Sequence, residues 1–185
     1  MSINLDKLLV TKEDFSDFRD LSSNIKEGRV NIFIRESQLI EIRAFLGSGL
    51  YNLLLADYDE LLKTFTDPRF TDLWFGGLYT NYAGVEINFN GYASGLVYFA
   101  YARFLHQQQV NVSRFGVESV QSDISEDISN PQVRNKAKDA LQVALQYQKD
   151  TFKFLEANKD TYPEYDLNCS NEKGKKNSFP FFILK

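Results

Sequence analysis

The feature that most restricts the fold is one long amphipathic run that opens at Asn130-Pro131. Asn is a favoured helix cap, and proline suits the first helical position, where no intrahelical N–H is needed. Behind it Val133, Ala137, Ala140, Leu141, Ala144, Tyr147, Thr151 and Leu155 recur at helical steps to about residue 158, a rod of roughly 40 Å at about 1.5 Å per residue. A second run from Tyr92 to Gln109 places Leu96, Phe99, Ala100, Arg103 and Phe104 on one face, with Val97, Tyr98, Tyr101 and Leu105 widening it. So broad an apolar arc marks a central helix.

Most of the remaining chain carries helical periodicity in shorter pieces. Thr11 can cap a helix over 12–25, carrying Phe15, Phe18, Leu21, Ser22 and Ile25, which Gly28 closes. Another opens near Arg35, with Leu39, Ile42, Ala44, Phe45 and Leu46 inward until Gly47 and Gly49. The apolar run 50–55 continues into 57–65, and Asp67-Pro68 caps a helix over Phe70, Leu73 and Trp74, so the first half reads as a series of short helices. Between Gly76 and Gly91, alternation around Ala83-Gly84 predicts a hairpin or extended loop. Val110 to Val120 reads as extended, broken by Gly116, and 121–129 is polar and acidic. Past Tyr162-Pro163 periodicity stops, and Phe179-Pro-Phe-Phe-Ile-Leu184 forms an apolar hook beyond a polar stretch. A chain of 185 residues fits one domain. The expected organisation is a helical body over 1–160, with excursions at 76–91 and 110–129, and an extended C-terminal arm over 161–185.

Composition removes several functions. Sixteen Phe and ten Tyr give a high aromatic share of 15%, ring area that belongs in a core or an interface. A net charge of -4 without a Lys/Arg stripe lacks the footprint of a phosphate-backbone binder. Hydropathy and charge predict a soluble chain with no membrane span. Cys169 alone forms no internal disulfide, and His106 alone supplies no nitrogen-rich metal shell. The early apolar run Leu8-Leu9-Val10 is too short for a secretory signal, so synthesis is expected in the cytosol and the sequons at Asn111 and Asn168 carry no weight.

Chemistry is equally sparse. No glycine run fits a nucleotide-binding loop, and no nucleophile elbow is present. His106 fits a helix-terminal position favoured by the macrodipole, and Cys169 a passive thiol. Asp57, Asp59 and Glu60, like Asp123, Glu126 and Asp127, miss the calcium-loop pattern and read as solvated acidic faces. The aromatic series from Tyr92 to Phe104 lacks the interleaved cations of a stacking platform, so it reads as core. No catalytic residue, cofactor or metal is expected.

Four stretches, taken in order, carry a resemblance. Residues 35–54, a helix followed by Gly47-Ser-Gly49 and Leu50-Tyr51, are similar to an early signature of phage connector subunits. Gly91-Tyr-Ala-Ser-Gly-Leu-Val-Tyr-Phe-Ala-Tyr-Ala-Arg-Phe-Leu105 resembles their Gly-Leu-plus-aromatic central helix. Val110-Asn-Val-Ser-Arg-Phe-Gly-Val-Glu-Ser-Val resembles the extended segment that follows, with Ser113 where Thr is usual and Glu118 in place of a second Val. The long helix after Asn130-Pro131 is the fourth. Together they resemble the head-to-tail connector, or ring, proteins of tailed bacteriophages, in the lineage that includes the crAss-like phages of Bacteroides-type hosts.

The resemblance implies a mainly α fold, a small helical bundle with a long helix in its C-terminal half. It also implies a non-enzymatic virion subunit, made in the host cytoplasm, that joins head to tail. Such subunits form rings, commonly of twelve copies, below the portal protein; they meet another neck or tail ring and extend a channel through which DNA passes without sequence-specific binding. Three elements could reach neighbours: Tyr79 and Tyr82 on the excursion, Val110, Val112, Phe115 and Val117 on the extended segment, and Phe179, Phe181, Phe182, Ile183 and Leu184 in the hook. The alternatives are a cytosolic helical interaction module that uses the aromatic tail, and a small hydrolase built on His106.

Overall fold

Two apolar stripes seek each other, and their seam organises the rest. The computed structural model describes residues 7–15, 25–107, 110–113, 116–119 and 130–165, with backbone alone at 110–113, 116–119 and Asn130. After a 3-10 turn at Glu13–Phe15, the chain forms α1 (Glu27–Ser37), a π-helical turn (Gln38–Ile42) and α2 (Arg43–Asp57). A short ribbon follows, β1 (Tyr58–Asp59) and β2 (Thr64–Phe65), then α3 (Pro68–Phe75) and the hairpin β3 (Gly77–Thr80) and β4 (Glu86–Phe89). The order ends with α4 (Ala93–Gln107), the hairpin β5 (Val110–Ser113) and β6 (Gly116–Ser119), and α5 (Asn130–Ala157). The fold is mainly α-helical, and among the described residues the strands form three separate two-stranded antiparallel pairs.

Helix α5 starts at the Asn-Pro signal and runs for 28 residues, about 42 Å. Ala137, Ala140, Ala144, Gln148, Thr151 and Leu155 make its buried face. Opposite them α4 presents Gly95, where an added Cβ would stand 2.9 Å from the Tyr92 ring and 3.3 Å from the Tyr147 Cβ. Small side chains on both helices therefore set their separation. Helix α1 covers another side of α4, with Phe33 meeting Phe104 edge-on at 5.8 Å between ring centres.

Burial corrects several sequence expectations. Gly28 does not close a helix; it lies in the first turn of α1, which begins at Glu27 and not near Arg35, because Val30, Phe33, Ile34 and Ser37 form an inward face. Leu39 and Ala44, expected inward, are exposed, while Gln38, Glu41 and Ile42 point in. The π-helical turn at 38–42 adds a residue to the turn and rotates the face. Gly47 breaks the run as expected, at φ 76° and ψ 154°, whereas Gly49 is helical. Of the helix expected over 12–25, only the Glu13–Phe15 turn is described, with the Thr11 N–H donating to the Asp14 carboxylate at 2.6 Å; 16–24 lie outside the described residues.

The stretch 57–65 is not a helical continuation. Lys7 donates to the Leu55 and Tyr58 carbonyls at the end of α2, and the Asp57 carboxylate accepts the Thr66 and Asp67 N–H groups, each at 2.9 Å. These partners stop the helix, and Tyr58 and Phe65 then pair across the ribbon with rings 5.0 Å apart. Asp67-Pro68 does start α3, the Asp67 carboxylate accepting the Arg69 N–H at 3.0 Å. By length and composition Glu27–Asp57 is apolar enough to cross a membrane. It is nevertheless broken at Gly47, and it turns Gln38 and Glu41 toward protein partners.

The expected hairpin is present, with Tyr79 opposite Ile87 and Gly77 opposite Phe89. It lies on α5, with Phe89 stacked on Phe154 at 4.4 Å and Tyr79 edge-on to the same ring at 5.4 Å. Beyond α5 the Tyr162 hydroxyl donates to the Arg69 carbonyl at 2.6 Å. Tyr162 and Tyr165, on the arm side of the boundary drawn at 160, are both buried.

At the base of this hairpin Gly76 and Gly91 press their backbones together at φ 94° and 76°. A Cβ on Gly91 would overlap the Trp74 carbonyl oxygen and the Phe75 carbonyl carbon. Gly91→Ala is therefore expected to cost about 2–4 kcal/mol in urea unfolding. At the hairpin tip, Gly84 has φ 75° with open space around it. Gly84→Asn should change stability by less than about 1 kcal/mol, since Asn tolerates the left-handed region.

Candidate protein-protein interface

Ring area is absorbed mostly inside the chain. Half-buried Phe45 and buried Tyr92, Trp74 and Phe65 form a series with ring centres 5.2, 6.4 and 6.3 Å apart. Tyr79 belongs to this interior through Phe154, so of the two tyrosines singled out on the excursion only Tyr82 is exposed. Its hydroxyl donates to the Glu156 carbonyl at the end of α5. Leu78 and Val85 of that hairpin are also exposed. Val110, Val112 and Val117 lie on β5 and β6, which pair with each other in the register Val112 to Val117. The segment thus pairs within the chain, as a two-stranded sheet among the described residues. Phe115, Phe179, Phe181, Phe182, Ile183 and Leu184 lie outside the described residues.

Sequence reasoning missed the most exposed apolar pair. Leu61 and Leu62, at the turn of the β1–β2 ribbon, are 95% and 71% exposed. The turn is braced by side chains: Asp59 Oδ1 accepts the Leu61 and Leu62 N–H groups at 2.9 and 3.1 Å, and Glu60 Oε1 accepts the Leu8 N–H at 3.1 Å. Lys63 adopts φ 53°, a left-handed backbone costing on the order of 1 kcal/mol for a non-glycine residue. Its ammonium donates to the Thr11 hydroxyl at 3.0 Å and stands 3.9 Å from Asp14. At the ribbon base, burial, reinforced by Asp14, Glu60 and Asp59, pushes the Tyr58 hydroxyl up to about 12. The signal available in sequence was the spacing of Asp57 and Asp59, short carboxylates that cap turns better than they continue helices.

A second apolar surface runs along the outside of α1 and the π-helical turn, where Ile32, Leu39 and Ile40 are 52%, 40% and 53% exposed. Its reverse side is buried and carries polar groups, Ser37, Gln38 and Glu41, among apolar ones. Gln38 accepts the Leu9 N–H at 2.8 Å and donates to the Lys7 carbonyl at 3.0 Å, fastening the segment 7–10 to the helix. Glu41 pairs with Arg103 of α4, and Glu36 stands 3.8 Å from the same guanidinium. Burial raises the Glu41 pKa above the ordinary carboxylate value, and the Arg103 hydrogen bond opposes that rise. This pair fixes the rotation of the π-helical turn and so determines which apolar side chains face out.

The remaining polar groups do structural work. Asp57, Asp59 and Glu60 serve backbone N–H groups, and no cluster of His, Cys, Asp or Glu able to hold a metal occurs among the described residues. His106 is exposed in the last turn of α4. A groove of about 540 Å³ between the segment 9–14, the ribbon and α4 is lined by Leu9, Tyr58, Trp74 and Val97. Its lining includes the Asp14–Lys63 pair, Asn90 and Ser94.

The fold and its surface define a mainly α chain with a closed aromatic interior and aliphatic side chains displayed on braced backbone. The chain belongs to DUF6712, a family of unknown function whose pattern spans residues 42–175. No curated protein and no solved structure matches it.

The Glu41–Arg103 pair yields a pH-dependent expectation. In Arg103→Met the opposing influence is lost, so the folded-state pKa of Glu41 rises further while its unfolded value stays. A group with a raised folded pKa contributes stability below its unfolded pKa and loses it as pH rises through the folded value. Arg103→Met should therefore cost about 3 kcal/mol at pH 7 and markedly less near pH 4, measured by urea unfolding. An equal loss at both pH values would contradict the assignment.

Proposed function

We propose that the chain is a structural subunit of a phage neck ring that sits below the portal, joins head to tail and extends the DNA channel. The observation that carries this reading is the division of its apolar side chains. Trp74, Tyr92, Phe89 and Tyr79 close an interior, while Leu61, Leu62, Leu78, Ile32 and Ile40 are held outside on ordered backbone. Exposed apolar surface on rigid elements marks places where other molecules dock. Several unlike patches on one chain suit head-to-tail association, which closes into a ring when the rotation between copies allows.

The resemblance of residues 35–54, 91–105, 110–120 and the Asn130 helix to connector subunits supports the same reading. In it the helices form a small bundle, the β5–β6 hairpin meets a neighbour, and the hook at Phe179–Leu184 reaches an adjoining ring or the portal. A net charge of -4 suits a channel wall past which DNA slides without being gripped. The partners are further copies of the chain, the portal protein and another neck protein. No residue acts as a catalyst, and neither cofactor nor membrane enters.

Negative-stain images of the purified chain at high concentration test the proposal. Closed rings with a central channel are expected. Monomers or compact two-fold dimers at every concentration would refute it.

A further inference from the structure

We infer that the ribbon tip of one copy, Asp59 to Leu62, docks on the outer stripe of α1 and the π-helical turn of a second copy, over Ile32, Leu39 and Ile40. The inference deepens the proposed function and rests on its self-assembly part alone.

The two surfaces differ in charge as well as position. At the tip, Leu61 and Leu62 stand beside the carboxylates of Asp59 and Glu60, which accept the bracing hydrogen bonds. On the stripe, Ile32, Leu39 and Ile40 are interspersed with Arg35, which is exposed, and Arg43, which is half-buried; the acid among them, Glu36, is half-buried and stands 3.8 Å from the Arg103 guanidinium. Two tips facing each other would juxtapose acids, and two stripes would juxtapose guanidinium groups. Only tip on stripe brings apolar surface together with opposite charges around it. An anionic lipid surface is disfavoured as the occupant, because Asp59 and Glu60 flank the leucines.

The bracing also fits an interface element. Asp59 and Lys63 hold the turn before any partner arrives, so little ordering entropy remains to be lost on docking. The contact is heterologous: after it forms, one copy still has a free tip and the other a free stripe, so association continues until it closes.

Complementary variants test this. Leu61→Asp with Leu62→Asp removes the tip, and Ile32→Asp with Ile40→Asp removes the stripe. All four positions are exposed, so each variant should melt within about 3 °C of the parent. By sedimentation velocity the parent should assemble beyond a dimer. Each variant alone should need at least on the order of 30-fold higher concentration. An equimolar mixture should form a one-to-one heterodimer, because one intact tip and one intact stripe remain.

Assembly of either variant like the parent would overturn this contact while leaving the ring reading standing. A mixture that stays monomeric when the parent assembles would overturn the pairing of these two surfaces. A parent that never self-associates would overturn the contact and the ring reading together.

Discussion

The close approach of α4 and α5 is the constraint on which the other packing depends. Gly95 on one helix and the alanines at 137, 140 and 144 on the other bring the helices close together. At one end Tyr92 is driven among Phe45 and Trp74. At the same end, past the first turn of α4, Phe154 receives Phe89 and Tyr79 from the hairpin and Tyr162 from the chain that leaves α5. Large side chains in the seam would push the helices apart and open both aromatic groups to water. The third side of α4 is held by a polar device, the Glu41–Arg103 pair, which sets the rotation of the π-helical turn.

What could be read from the sequence divides along the range of the interactions. Helix α5, the cap of α3 and the hairpin after Gly76 announce themselves, because capping, proline placement and alternation act over a few residues. The start of α1, the inward turn of Gln38 and Glu41, and the end of α2 at Asp57 are settled by partners far along the chain. Lys7 and Leu9 reach Gln38 across about thirty residues, and Arg103 reaches Glu41 across 62. No local pattern reports such partners. An arginine in the otherwise apolar α4 was the one clue that a buried acid had to face it.

The same division explains which surface residues were legible. Aromatic content suggested interface area, yet most rings in the described residues serve the chain's own interior, Tyr79 among them. The apolar side chains left outside are aliphatic and sit where backbone geometry holds them, on the ribbon turn and on the outer stripe of a helix. Leu61 and Leu62 escaped the sequence reading because the preceding leucine run looks like a helix that continues. Carboxylates at 57 and 59, satisfied by backbone N–H groups, end it instead.

The central claim is that this chain has a finished interior and spends its exposed aliphatic side chains on other molecules. Amide hydrogen exchange, compared between dilute and assembled protein, tests it most directly. The account predicts new protection over 59–63 and 30–41, with the seam around Gly95 and Ala140 equally protected in both states. Protection gained chiefly within that seam would mean that the interior is completed only by assembly, and would contradict the account.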